Sequence, residues 1–154
     1  MSESSRFAEV DDAVVFINLF DSARSSLDEV KGAKLWKALE STGDNGSAIF
    51  QEYLDDDDKV IVLGEYDHYP FGYILLDLQQ VETRIASNIQ EVFVDIEARN
   101  VGLGETMMSL AIDWSRNRGA SLLLGRTFPG DRSTKNFFER HHVTARLIEV
   151  STDI

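Results

Sequence analysis

The sequence predicts an α/β (α+β) protein in which helices flank a single mixed, mostly antiparallel central sheet. Three observations predict this class. Apolar residues recur every three or four positions in the first third of the chain, as they do on one face of a helix. From residue 59 the pattern changes to short apolar runs separated by turns, which is typical of strands. A strand–helix–strand unit then spans residues 90–124, and a right-handed crossover in such a unit makes its two strands parallel.

The N-terminal elements are predicted from helix-start residues and apolar spacing. A short first strand is expected over residues 6–10. Asp11 and Asp12 begin the first helix, because their carboxylates accept from free N–H groups. This helix is predicted to end at Gly32, and its apolar face is Phe16, Phe20, Ala23, Leu27 and Val30. Two shorter helices are expected around residues 35–39 and 48–54.

The elements that follow are mostly strands. Three of them form a predicted antiparallel meander, at residues 60–63, 71–76 and 85–96. Alternation along the third strand predicts one shared face for Ile89, Glu91, Phe93 and Asp95. The remaining predicted elements are a helix, a buried strand, a second helix and a final strand, at residues 102–118, 121–124, 133–140 and 145–150.

Composition limits the classes of partner and chemistry. A chain of 154 residues with 43% apolar content can form one domain with a single core. The net charge of −12 repels nucleic acid and anionic membranes, so we expect neither as a partner, and it favours a cationic acceptor such as an amine. Because cysteine is absent, thiolate zinc sites and cysteine nucleophiles are excluded, and we expect no metal. No signal-like leader or bilayer-length apolar run is found, which predicts a cytoplasmic location.

The segment from Val94 to Thr106 carries the chemistry. A strand ends there, a glycine-bearing turn follows, and a helix begins. The first N–H groups of a helix have no internal partner and carry partial positive charge, so they can hold a diphosphate. Gly102 and Gly104 allow close approach of the phosphate oxygens, and Arg99 adds a cation.

Other interpretations of this loop are weaker. A dinucleotide-binding fingerprint requires a third glycine where Met107 stands, and a Walker loop requires Gly-Lys-Ser or Gly-Lys-Thr, which the sequence lacks. A helix start with two incidental glycines is the purely structural interpretation. The surrounding strand and helix favour the diphosphate site.

The pattern Arg99-x-x-Gly102-x-Gly104 resembles the acyl-CoA signature of the GNAT acetyltransferase superfamily, Gln/Arg-x-x-Gly-x-Gly/Ala. Residues 71–74 are similar to the third strand of many members, and residues 131–143 to the family's last helix. The resemblance covers residues 59–150, and it implies that residues 11–56 form a variable, substrate-shaping region. Residues 1–154 would then be a single domain with the GNAT-like acyl-CoA N-acyltransferase fold.

The resemblance also implies an activity and a set of binding residues. Acetyl-CoA would be the co-substrate. Its acetyl group would pass to a primary amine of an unidentified small molecule or protein, by direct attack in a ternary complex. Dimers are common in the family, so a homodimer is one option. The residues that would contact CoA are Val94, Ile96, Arg99, Asn100, Val101, Gly102, Leu103, Gly104, Glu105, Thr106 and Phe138.

Catalytic roles are less clearly indicated, because the sequence departs from the family pattern. Phe138 stands where many members place a tyrosine that protonates the leaving thiolate, so Tyr73 or a water molecule is the expected substitute. Some members use a glutamate as base where Gln90 stands, which leaves Glu91 and Asp95 as candidates, beside water and backbone carbonyls. The alternative function is a catalytically degenerate acyl-CoA-binding regulatory or interaction module.

Overall fold

The protein is built on one five-stranded sheet. The computed structural model describes residues 2–39 and 41–154, and its strands lie side by side in chain order. They are β1 (Glu3–Phe7), β2 (Lys59–Tyr66), β3 (Tyr69–Val81), β4 (Arg84–Val94) and β5 (Ala120–Gly125). The first four pair antiparallel, and β4 and β5 pair parallel. This arrangement confirms the predicted mixed, mostly antiparallel sheet.

Helices cover both faces of the sheet. They are α1 (Ala13–Ser26), α2 (Ala33–Leu39), α3 (Gly46–Asp55), α4 (Leu103–Asn117) and α5 (Arg132–Arg140). Two short 3₁₀ turns, Val10–Asp12 and Ile96–Ala98, precede α1 and follow β4. None of the helices in the described ranges is long and apolar enough to cross a membrane.

Two apolar cores lie on opposite faces of the sheet. On one face, α1 and α3 bury an aromatic cluster against the strands, made of Phe16, Phe20, Phe50 and Tyr73. On the other face, α4 and α5 bury Met107, Met108, Trp114, Phe137 and Phe138 against β2, β3 and β4. Helices therefore cover both faces of the sheet, and the strands between them are held by packed cores on either side.

Several predicted bounds shift. The first strand is Glu3–Phe7 rather than residues 6–10, and α1 ends at Ser26 rather than at Gly32. Gly32 lies in the loop after α1 with φ of +89°, so the glycine serves that loop. Phe16, Phe20 and Ala23 are buried as predicted, whereas Leu27 and Val30 follow the end of the helix.

A β-bulge in β4 corrects the predicted strand face. Leu75 pairs with Glu91, but the next residue, Leu76, pairs with Ile89, so Gln90 is the extra residue of the bulge. A bulge shifts the alternation of side chains by one position. Ile89 therefore packs in the core beneath α4, whereas Glu91 and Phe93 face the α1 side. The prediction that Ile89 shares a face with Glu91 is wrong for this reason.

The predicted final strand at residues 145–150 is also wrong. After α5 the chain forms no further strand in the described part, and Leu147, Ile148 and Val150 are exposed. Apolar residues form a strand only when a neighbouring strand satisfies their backbone groups, and none lies beside them. For the same reason β5 is a half-buried edge strand rather than the buried strand that its leucines predict.

Candidate functional site

A cavity of about 1010 Å³ lies where β4 and β5 diverge. The two strands pair from Ile85 to Ile89 of β4, and the pairing then stops, so the rest of β4 has no strand on that side. Ile89 and residues 91–94 form the floor of the cavity. We call the end beside the start of α4 and α5 the loop end. The end beside α1, α2 and residues 126–130 is the far end.

At the loop end, the backbone before α4 presents unused N–H groups. Within residues 2–39 and 41–154, none of the backbone N–H groups of residues 99–105 donates a hydrogen bond. Asn100 and Gly102 have left-handed backbone conformations, with φ of 68° and 87°. Turns of this kind aim successive N–H groups at one point and bind anions, and the start of α4 adds its helix dipole.

The two glycines of the motif have different roles. Gly102 is the N-cap of α4, and its φ of +87° is costly for any residue with a side chain. A Cβ atom on Gly104 would lie 3.3 Å from the Phe137 ring and 3.9 Å from Arg140 Nη2. A larger side chain at residue 104 would therefore fill the space between α4 and α5.

Thr106 differs from the other loop residues that the resemblance singles out. Its N–H donates to the Gly102 carbonyl at 3.2 Å, as in an ordinary helix. Its hydroxyl accepts from Ser5 at 2.7 Å and donates to the Leu103 carbonyl at 3.1 Å. Thr106 thus binds the loop to β1.

Arginine side chains surround the loop end, although the protein is acidic overall. Arg99, Arg132 and Arg140 all line the cavity there. Arg99 Nε donates to the Val94 carbonyl at 3.0 Å, and its Nη1 donates to the Ser133 hydroxyl at 3.2 Å. These contacts connect the end of β4, the loop and α5, and they concentrate positive charge beside the unused amides.

The end of β4 points polar backbone groups into the gap between the strands. The Asp95 N–H donates to the Phe71 carbonyl of β3 at 2.7 Å. Because backbone groups alternate along a strand, the N–H and C=O of Val94 point the other way, past the end of the β4–β5 pairing. Ile96, by contrast, is largely exposed at the start of the short turn after β4.

Two adjacent phenylalanines of α5 close the space above the gap. Phe137 packs over Gly104, and Phe138 packs over Gly125 of β5, where even a Cβ atom would overlap its ring. Both are buried, and both line the cavity. Phe138 thus lies beside the strand that diverges from β4, and it brings an apolar ring rather than a hydroxyl.

Glu91 is held in a buried hydrogen-bond network at the cavity floor. Arg24 donates to both carboxylate oxygens, at 2.5 Å and 3.0 Å. Thr42 donates its hydroxyl to Oε1 at 2.8 Å, and Tyr73 donates to Oε2 at 3.0 Å. A carboxylate offers about four acceptor positions, so these donors leave Glu91 no vacant one.

The network shifts the pKa of its members. Burial raises the pKa of Tyr73 well above its usual value of 10.0, and the nearby Glu91 charge raises it further. Burial acts to lower the pKa of Arg24, but the hydrogen bonds and charge of Glu91 outweigh it and raise the pKa above the usual value. Arg24 therefore stays charged, and Tyr73 keeps its proton at neutral pH.

Asp95 is differently placed from Glu91. It follows β4 directly, lines the cavity, and accepts from the Glu97 N–H through Oδ1 at 3.0 Å. Its Oδ2 receives no hydrogen bond from the described part of the chain. Asp95 lies beyond the end of β4 as the N-cap of the turn at Ile96–Ala98, and within the described part of the chain it receives none of the hydrogen bonds that Arg24, Thr42 and Tyr73 donate to Glu91.

The structure adds residues that sequence reasoning missed. Arg24 lies on α1, and its guanidinium stacks 4.1 Å from the centre of the Phe20 ring and 5.3 Å from that of Trp36. The signal that could have found it is its position one residue after Ala23, at the edge of the apolar face. Arg140 lies three residues after Phe137 on α5, a spacing that places both side chains on one helix face.

The chain belongs to the acetyltransferase (GNAT) family, whose sequence model matches residues 27–142. Acetyltransferases of this family use acetyl-CoA and an amine acceptor. The family assignment confirms the resemblance inferred from the Arg99-x-x-Gly102-x-Gly104 motif. A comparison with curated proteins finds no significant match.

Solved structures share the fold at low sequence identity. One is a transcriptional regulator from Bacillus halodurans C-125, at 17% identity and a TM-score of 0.74, with 99% of each chain covered. Another is the ribosomal-protein-alanine N-acetyltransferase from Brucella melitensis biovar Abortus 2308, at 14% identity and a TM-score of 0.69, with 99% of this chain and 98% of that chain covered. A third is AAC(6′)-Iy in complex with the bisubstrate analogue CoA-S-monomethyl-acetylneamine, at 14% identity and a TM-score of 0.72, with 100% of both chains covered.

Proposed function

We propose that the protein is an N-acetyltransferase that moves the acetyl group of acetyl-CoA to a primary amine of a small molecule or protein. The observation that carries this proposal is the row of unused amides at residues 99–105, of which all but Val101 border the cavity between the diverging strands. A row of this kind binds anions such as phosphate and diphosphate groups. The family assignment supports CoA as the source of that diphosphate.

The charge distribution supports the same proposal. Arg99, Arg132 and Arg140 line the loop end of a protein whose net charge is −12. Charged hydrogen bonds from arginine to phosphate are stronger than neutral ones. We assign the diphosphate to the backbone of residues 99–105, with these arginines as supporting cations.

The transfer we propose is a direct attack. The neutral amine nitrogen forms a bond to the thioester carbonyl carbon and then gives up one N–H proton to solvent, the C–S bond breaks, and CoA leaves as a thiolate that takes up a proton. The Val94 N–H points into the gap, and we assign to it the stabilisation of the developing oxyanion. The pantetheine arm would lie along the same part of β4, between Val94 and Phe138.

The attacking amine must first lose a proton, and we assign this proton to Asp95. Glu91 would need to give up a hydrogen bond from Arg24, Thr42 or Tyr73 before it could accept one. Asp95 Oδ2 carries no such bond. We therefore propose Asp95 as the base and Glu91 as a positioning residue.

Protonation of the thiolate has less support from the protein. Phe138 has no hydroxyl, and Tyr73 already donates its proton to Glu91. A thiol with a pKa of about 8.5 leaves without much help, so solvent can supply this proton. A general acid typically raises the reaction rate about 10²–10⁴-fold. Without Tyr73 as a general acid, turnover should therefore be slower by a factor of about that size.

The test is thiol release from acetyl-CoA by the purified protein in the presence of a broad panel of amines. The proposal predicts release that requires both protein and amine, with an acetylated amine as product. A calorimetric titration with acetyl-CoA provides the binding measurement. Absence of any binding to acetyl-CoA would exclude both this function and its alternative.

The alternative is an acyl-CoA-binding regulatory or interaction module without activity. It is favoured by Phe138 at the position of the usual tyrosine and by the saturated Glu91 carboxylate. The two functions differ in one result. The alternative predicts binding of acetyl-CoA together with no acetylated product from any amine tested.

A further inference from the structure

The far end of the cavity carries an apolar wall. Four half-buried side chains form it: Leu27, Val30, Trp36 and Phe128. The rings of Trp36 and Phe128 pack against each other, with their centres 5.8 Å apart. Because these side chains remain partly exposed where they line the cavity, a ligand that covers them would remove apolar surface from water.

The loops that carry the wall are in direct contact. A Cβ atom on Gly32 would lie 3.3 Å from the Phe128 ring. A Cβ atom on Gly130 would lie 2.2 Å from the Lys31 carbonyl oxygen, so only glycine fits there. The loop after α1 thus touches the loop after β5 and bridges the far end. A small molecule fits beneath such a bridge more readily than a polypeptide chain does.

Of the four carboxylates that the described part of the chain places along the cavity, two are already occupied. Glu91 is neutralised by Arg24, and Asp131 caps α5 through the Thr134 N–H at 3.2 Å and hydroxyl at 2.7 Å. Glu105 lies at the loop end, on the first turn of α4. Asp95 is the remaining one, and it can serve a single ammonium group.

We propose, on the basis of the proposed function, that the acceptor is a small monoamine whose body is apolar or aromatic. The body would pack on Leu27, Val30, Trp36 and Phe128, with the amino group toward Asp95. A polyamine or an aminoglycoside needs several available carboxylates close together, whereas Glu91 and Asp131 are already hydrogen-bonded and Glu105 lies at the loop end, apart from the wall. Most of the acidic residues that give the protein its net charge of −12 lie outside the cavity lining.

The experiment compares four amines as acceptors with the full-length protein: 2-phenylethylamine, ethylamine, spermidine and neamine. We expect kcat/KM for 2-phenylethylamine to exceed that of each other amine by about tenfold or more, since one or two buried apolar groups give discrimination of this size. Calorimetry of the same amines against the protein saturated with CoA should show the same order. This second readout does not depend on turnover.

Two variants test the wall itself. Trp36→Ala should raise KM for 2-phenylethylamine about tenfold or more, raise KM for ethylamine by a smaller factor, and leave the Kd for acetyl-CoA unchanged. Phe128→Leu tests the same surface without touching the Arg24 contact of Trp36. Leu35→Ala is the matched control, because Leu35 neighbours Trp36 on α2 but is 42% exposed and does not line the cavity.

Different failures have different meanings. A higher kcat/KM for spermidine or neamine than for 2-phenylethylamine would overturn this inference and leave the proposed acetyl transfer intact. An equal change of KM for every amine in Trp36→Ala and Phe128→Leu would have the same meaning. Loss of acetyl-CoA binding in the unmodified protein would instead contradict the proposed function, and the inference would fall with it.

Discussion

Arg24 of α1 and Glu91 of β4 form a bidentate ion pair, although they are 67 positions apart in the sequence. Their side chains are only 10% and 5% exposed. Buried charges persist when each satisfies the other, and here Thr42 and Tyr73 satisfy the remaining acceptor positions. The pair fixes α1 to the bulged part of β4 and sets the shape of the cavity floor.

Substitution of either partner should destabilise the protein strongly. Arg24→Met and Glu91→Gln should each lower the free energy of unfolding by about 3 kcal/mol, because each leaves buried polar groups without partners. The double variant should cost less than the sum of the two, by about 1 kcal/mol or more. Urea unfolding curves of the four proteins measure this coupling.

Asp44 provides the control for this cycle. It also contacts Arg24, at 3.2 Å, but its side chain is 73% exposed. Asp44→Asn should therefore change the free energy of unfolding by less than about 1 kcal/mol. Strictly additive effects of the Arg24 and Glu91 substitutions would show that the pair is not a coupled unit.

Gly104→Leu should abolish acetyl-CoA binding with little loss of helix content. The new side chain would enter the space between α4 and Phe137, beside the amides that we assign to the diphosphate. We expect the Kd for acetyl-CoA to rise about 100-fold or more, equivalent to about 2.7 kcal/mol. Ser109→Leu, on the exposed side of the same helix, is the control and should bind normally. Normal binding by Gly104→Leu would refute our placement of the loop.

Asp95→Asn should lower kcat by about 100-fold or more and leave the Kd for acetyl-CoA unchanged, because a general base contributes about 10²–10⁴-fold. Asparagine can still accept from the Glu97 N–H, so the turn after β4 should persist. Steady-state kinetics with the best amine of the panel measure the effect. The exposed Glu97→Gln serves as comparison, and an unchanged kcat in Asp95→Asn would assign the proton to water or a backbone carbonyl instead.

Asp12 should control stability in acid. Hydrogen bonds from Arg6 and, with a smaller effect, from the Glu9 N–H lower the pKa of Asp12 from its usual 3.8, against the opposing effect of burial. A lowered pKa in the folded state stabilises the protein above about pH 4, and this stability is lost as the pH falls through the folded-state pKa.

Asp12→Asn therefore should cost about 1–3 kcal/mol at pH 7 and flatten the decline in stability between about pH 5 and about pH 2. Thermal or urea unfolding across that pH range provides the measurement, and the exposed Asp21→Asn serves as control. A decline as steep in Asp12→Asn as in the unmodified protein would exclude this role.

Local signals predict much of the fold and the glycine turn before α4, whose role in binding CoA stays a prediction. The apolar spacing of α1 and α4 and the β2–β3–β4 meander depend on neighbours in sequence, and they were predicted correctly except for their bounds. The loop from Arg99 to Gly104 was found because a helix start and its glycines form one continuous motif. Such features need no knowledge of distant contacts.

The features that sequence reasoning missed depend on distant residues. The bulge at Gln90 is defined only by pairing with β3, so the face of Ile89 could not be read from alternation alone. The partner of Glu91 lies on α1, and nothing near Glu91 indicates it. Residues 145–150 have strand-like composition, but strand formation requires a neighbour that the described fold does not provide.

The most direct test of the central claim follows the backbone amides of the ¹⁵N-labelled protein by NMR during titration with acetyl-CoA. We predict saturable shifts that are largest at residues 99–105, with little change at Ser109 on the outer side of α4. Saturable binding that leaves the amides of residues 99–105 unchanged, or no binding at all, would contradict the account.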